Sequence, residues 1–136
     1  IWIDEDDRLI VVDYKATSKS TEVSLDAEWQ ISYKRQMEIY QWLLEQNGFE
    51  VSSRGYFVYT NARMDVDNFN DKLEFRTKVI AYDGDNTWVS PTIIKMKQCM
   101  EGDIPEVGRA AMGGDCDFCS YARARTELTL GHLKKK

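Results

Sequence analysis

Asp13 and Lys15, one residue apart, are the side chains whose types and spacing most suggest chemistry. They follow Leu9-Ile10-Val11-Val12, an apolar, β-branched run that favours an extended strand. Side chains alternate along a strand, so Asp13 and Lys15 point to one face while Val12 and Tyr14 point to the other. A carboxylate beside an ammonium suits an oxygen-ligated ion. The carboxylate binds Mg²⁺ or Mn²⁺, and the ammonium orients an attacking water or stabilises charge on a five-coordinate phosphorus. Taken alone, Asp-x-Lys is more often a solvated strand end than a site.

Gln36 and Tyr40 form the second piece. Four residues apart on a helix, they share a face and reach the same neighbour. A glutamine amide donates to a phosphate or a metal-bound water, and a phenol does likewise or braces the lysine. An interfacial glutamine beside a core tyrosine would describe them as well. The order carries more than either pair: apolar strand, Asp-x-Lys, polar loop, helix with Gln-x-x-x-Tyr, apolar strand.

The chain has one histidine, His132, read as part of a polar tail beside Lys134, Lys135 and Lys136. A Ser-His-Asp triad, a Cys-His pair or a zinc site with two histidines needs an imidazole in the folded core. Catalysis here is therefore left to carboxylates, lysines, tyrosines or cysteines, with a metal bound through oxygen. Lys and Arg total 18 against 23 Asp and Glu, a net charge of −5, which disfavours a broad nucleic-acid surface but not a local basic groove. Lys34 and Arg35 adjoin Gln36, and Lys19 and Thr17 lie in the loop after Lys15. These four are the phosphate-contact candidates, ahead of Ser18, Arg54 and Arg63. Trp29 and Tyr33 would stack on bases or pack in the core. Arg123, Arg125 and the terminal lysines make a locally basic end.

Cys116 and Cys119 form a Cys-x-x-Cys, a pair suited to zinc or an iron–sulfur cluster. With Cys99 the chain has only three thiols, so a four-cysteine site is not complete, and neither zinc nor a cluster is expected. The alternative is a Cys-x-x-Cys that packs a C-terminal turn, or a structural domain organised around it. An odd number of cysteines with no apolar leader predicts reduced thiols and a cytoplasmic setting. No apolar run approaches the roughly 18 residues of a membrane span, so no membrane partner is expected.

The positioning elements follow from periodicity. Ile1-Trp2-Ile3 and Leu9 to Lys15 read as a hairpin turned at Asp4 to Asp7, with Ile3 paired to Leu9 and Ile1 to Val11. Ala16 to Ser24 reads as a polar loop. Glu28 to Gln46 reads as a helix, with Met37, Tyr40 and Leu44 on its apolar stripe, Asp26 as N-cap and Gly48 as stop. Arg54 to Thr60 is expected to be a central strand, Asn61 to Asp71 a loop and Leu73 to Tyr82 a further strand. Asp83-Gly84-Asp85-Asn86 closes that strand in a turn. Trp88 to Met100 is expected to be helical with Pro91 in its first turn, and a short last helix begins near Ser120. The class is mixed α/β, a single domain over 1–136 with a core at 1–101 and an irregular Cys-containing segment at 102–136.

Asp13-Tyr14-Lys15 followed by Gln36-Met37-Glu38-Ile39-Tyr40 resembles the RecB-like branch of the PD-(D/E)XK nucleases, which includes nuclease domains of recombination helicases and CRISPR-adaptation nucleases. The resemblance implies a restriction-endonuclease-like mixed β-sheet core flanked by helices. It implies a divalent-metal-dependent deoxyribonuclease, exonuclease-like, acting in DNA repair, recombination or phage- or CRISPR-related processing, and fused to or assembled with a helicase or another DNA-processing protein. Asp13 and the Tyr14 carbonyl would be metal ligands, Lys15 the catalytic lysine, and Gln36 with Tyr40 the accessory motif at the DNA end. The family's second metal-binding acid, on the preceding strand, is not visible. Asp4 to Asp7 sit at the turn, too far along the strands from Asp13. The hairpin register places its position just before Ile1, so the family's first helix and that part of the strand are expected to precede this sequence. A non-catalytic nucleic-acid- or protein-binding module of the same fold is the rival expectation.

Overall fold

The computed structural model describes residues 1–65, 71–103, 108–109 and 113–133. They form two compact units, Ile1–Pro91 and Thr92–Lys136.

The first unit opens with a hairpin, β1 (Trp2–Ile3) and β2 (Leu9–Ile10), in the expected register: Trp2 faces Ile10 and Ile3 faces Leu9. Asp4 organises the acidic turn, its carboxylate accepting the backbone N–H of Asp6 at 3.0 Å and of Arg8 at 2.9 Å. At Val11 the chain changes partner. β3 (Val12–Thr17) runs parallel to β4 (Arg54–Ala62), from Val12 opposite Tyr56 to Thr17 opposite Asn61. This corrects the expectation of one hairpin strand ending at Lys15. β4 goes on offering backbone partners past Tyr59, so Ala16 and Thr17 belong to the strand and the polar loop starts later. β5 (Phe75–Asp83) pairs antiparallel with β4, giving a mixed sheet in the order β3-β4-β5 with β4 central, as its apolar sequence predicts.

Between β3 and β4 runs α1 (Ile31–Gln46), entered through a single 3₁₀ turn at Glu28–Gln30. Asp26 makes no cap hydrogen bond to the helix. Gln30 holds the entry instead: its buried amide accepts from the Ala27 N–H at 2.9 Å and donates to the Ser24 carbonyl at 2.6 Å. Gly48, at φ 85°, ends the helix as expected, its N–H bonded to the Glu45 carbonyl. Partners across a ladder share a face, so Val11, Asp13, Lys15, Phe57 and Tyr59 all project toward α1. The core is Val11, Val23, Leu25, Met37, Phe57 and Tyr59. Gly55 permits this close packing: a Cβ there would lie 2.5 Å from Met37 Sδ and 3.1 Å from the Val11 carbonyl oxygen.

The second unit contains most of α2 (Val89–Glu101), with Pro91 in its first turn as expected, and α3 (Asp117–Leu133). α3 starts earlier and runs longer than a short helix near Ser120. His132 therefore stands in its last turn and not in a polar tail. The terminal lysines, part of the Asn61 to Asp71 loop and part of the irregular segment after Gly102 lie outside the described residues. Among those described, no helix is long and apolar enough to cross a membrane.

Candidate active site

Four of the predicted site residues meet in one polar chain, an ion pair followed by two hydrogen bonds. Lys15 Nζ lies 2.7 Å from Asp13 Oδ2, and the two side chains are only 18% and 14% exposed. The same ammonium donates to Gln36 Oε1 at 2.8 Å, and Gln36 Nε2 donates to the Tyr40 hydroxyl oxygen at 2.9 Å. The glutamine is thereby oriented, oxygen toward the cation and nitrogen toward the phenol. Tyr40 accepts that bond and keeps its own O–H to donate outward, and its side chain is 41% exposed. The Tyr33 ring covers the Lys15 ammonium at 4.5 Å, a cation–π contact that adds a third restraint on the lysine.

Local sequence explains the convergence. The strand period puts Asp13 and Lys15 on the face that α1 covers, and helical spacing puts Tyr33, Gln36, Met37 and Tyr40 on neighbouring turns. Tyr14, the residue between, points to the other face and is exposed. Beneath the pair lies Tyr59, whose phenol is held above its ordinary value of 10.0, first by burial and then by the neighbouring Tyr33 and Asp13.

The phosphate-contact candidates do not gather at this chain. Lys34 and Arg35 lie over the rings of Tyr82 and Trp88, at 5.8 and 5.9 Å. Lys19 lies over the Trp29 ring at 4.7 Å, and Thr17 ends β3 opposite Asn61. Arg54 is committed to Asp83, and Arg63 to Asp65 and Glu74. In the second unit, Cys116 immediately precedes α3 and Cys119 lies in its first turn. The Cys119 backbone N–H, then its thiol, lowers the Cys116 thiol below its ordinary value of 9.0.

Glu38 was not legible as an organising residue. It is buried on α1, accepting from the Tyr82 hydroxyl at 2.6 Å, Trp88 Nε1 at 2.6 Å and the Asp85 N–H at 3.3 Å. The signal was an acid flanked by Met37 and Ile39 inside an apolar stripe, which only a polar partner set can accommodate.

The fit to a divalent ion is partial. Asp13 Oδ2 is buried and lacks a well-aligned hydrogen bond, which suits a ligand oxygen. Among the described residues, however, no three His, Cys, Asp or Glu side chains cluster to hold an ion, at Asp13 or at Cys116 and Cys119.

A mixed sheet with this crossover helix, carrying Asp-x-Lys on its parallel strand, defines a restriction-endonuclease-like fold. The chain belongs to the PD-(D/E)XK nuclease superfamily, whose family model matches residues 1–124. Members of that superfamily are usually metal-dependent nucleases. No curated protein and no solved structure matches the chain.

Proposed function

We propose that this chain is a RecB-like, exonuclease-type deoxyribonuclease that hydrolyses phosphodiester bonds with Mg²⁺ or Mn²⁺. The observation that carries this reading is the unbroken run Asp13–Lys15–Gln36–Tyr40, drawn from a strand and a helix, with Lys15 and Gln36 21 residues apart in sequence. Asp13 and the Tyr14 carbonyl would hold the ion. When bound, it would supply Lewis acidity and a lowered pKa for bound water, which a site without histidine needs near neutral pH.

The chain's own residues do the rest. Lys15, fixed by Gln36 and Tyr33, keeps a positive charge where negative charge develops on the phosphoryl oxygens, and its N–H groups orient the incoming water. Gln36 holds that ammonium in place, so the lysine need not reorganise during the reaction. The free O–H of Tyr40 donates to a non-bridging oxygen of the strand. Lys34, Arg35, Lys19 and Thr17 contact flanking phosphates, the first three leaving their aromatic rings to do so.

Lys15→Ala is expected to lower the Mg²⁺- or Mn²⁺-dependent cleavage of linear DNA by about 10²–10³-fold while the fold persists. Equal cleavage by variant and wild type would remove Lys15 from the mechanism. That no three His, Cys, Asp or Glu side chains cluster among the described residues favours a second reading, a binding module of the same fold. DNA binding without cleavage at any divalent-ion concentration would establish that one.

A further inference from the structure

We propose that Trp29 is a base-stacking subsite for an unpaired nucleotide, capped by Lys19 when no DNA is bound; this rests on the reading that DNA is the substrate. Trp29 is 45% exposed, yet its ring is not loose. It stands on the 3₁₀ turn that Gln30, only 2% exposed, pins through both atoms of its amide. Tyr33 packs against it edge-to-face, centroids 5.4 Å apart at 82°. An indole fixed in this way loses little side-chain entropy on binding a flat ring.

What covers the ring points to the ligand. The Lys19 ammonium lies 4.7 Å from its centre, a cation and not an apolar neighbour. Among the described residues Lys19 forms no ion pair, whereas Lys78, Arg63 and Arg76 each face a carboxylate. Its backbone is nevertheless anchored, with the N–H donating to Asn61 Oδ1 at 2.8 Å and the carbonyl accepting from Asn61 Nδ2 at 2.9 Å. A base replacing the ammonium on the indole frees that charge for the same nucleotide's phosphate. One short side-chain movement thus exchanges a cation–π contact for stacking plus a phosphate pair.

The placement relative to the site is direct. Lys15 Nζ is 4.5 Å from the Tyr33 ring, and Tyr33 is 5.4 Å from Trp29. Two to three stacked nucleotides, at about 3.4 Å each along a strand, span that path. A cleft of about 260 Å³ lined by Lys19, Ser20, Asn61, Arg63, Asp65 and Arg76 shares Lys19 with this subsite. An internal base pair, stacked on both faces, cannot lie flat on the indole, so the subsite favours single-stranded or frayed ends over continuous duplex.

The test measures binding of the whole chain to a fluorescein-labelled oligothymidine and, by competition, to a relaxed closed circular duplex, in EDTA. Because the loss is of one base–aromatic stack, Trp29→Ala should weaken oligothymidine binding about tenfold and leave duplex binding unchanged. Trp29→Phe, which keeps an aromatic face, should recover most of the loss. Lys19→Ala should flatten the log–log salt slope for oligothymidine by about 0.7. Undiminished oligothymidine binding by Trp29→Ala overturns the proposal, as does an equal loss on both DNAs or a failure of Trp29→Phe to recover it. Cleavage by the wild type is scored separately. A protein that shows the Trp29-dependent preference without cutting refutes the nuclease reading and keeps the subsite. A protein that cuts with no Trp29 dependence does the reverse.

Discussion

Lys15 is held on three sides, by Asp13, the Gln36 amide oxygen and the Tyr33 ring, and this restraint separates it from an ordinary surface lysine. An exposed lysine salt bridge contributes little, because two long side chains must be frozen and solvent screens the charges. Here both partners are mostly buried and the amide fills a second donor position, so the ammonium is preorganised. Removing its acceptor should therefore cost rate more than affinity. Gln36→Leu is expected to lower kcat about ten- to 100-fold with little change in KM, as for other residues that orient a catalytic group. Steady-state cleavage of linear DNA reads this. A purely packing role for Gln36 would instead move the melting temperature and leave kcat alone.

At the scale of elements, α1 has two polar anchors that set its rotation over the sheet. Gln41 donates to the carbonyls of Ser52 at 3.1 Å and Ser53 at 2.8 Å, and Glu38 gathers Tyr82, Trp88 and the Asp85 N–H. Helix height is set by Gly55, and Gly55→Ala is expected to destabilise the protein by about 1–3 kcal/mol, read by urea denaturation. Met37 is fully buried and the Val11 carbonyl is backbone, so neither neighbour yields easily. Tyr82 contributes a pH dependence on the alkaline side. Burial first, then its bond to Glu38, raises its phenol well above the ordinary value of 10.0. The unfolded chain loses that proton at pH 10, where the folded protein still retains it, so this contribution is complete below pH 10 and declines above it. Tyr82→Phe should thus be less stable than wild type by about 1.5–3 kcal/mol at pH 8, and the gap should narrow as the pH rises past 10. Chemical denaturation across that range checks the sign; a widening gap would contradict it.

For the whole molecule, the net charge of −5 means that long-range attraction cannot gather DNA. Binding must depend on local groups, several of which are already engaged by carboxylates or aromatic rings. An ion bound at Asp13 would change that balance and couple to folding, since it binds the folded state and not the unfolded one. Millimolar Mn²⁺ is expected to raise the melting midpoint of the wild type by a few degrees and to leave that of Asp13→Asn unmoved. A scanning melt with and without Mn²⁺ measures this, and an equal shift in both would place the ion elsewhere.

Strand and helix periods follow from local sterics and from which side chains avoid water. The hairpin register, the central apolar strand, the stop at Gly48 and the shared faces of Asp13 with Lys15 and of Gln36 with Tyr40 were accordingly legible in the amino-acid order. Long-range pairing is not a local property. The change of partner at Val11 depends on where β4 lies, and the Glu38 anchor on rings 44 and 50 residues away. Whether Lys15 would meet Gln36 or water, and whether Lys19 would meet a carboxylate or an indole, was decided only when α1 packed on the sheet. Packing sets distances between segments that sequence spacing leaves free.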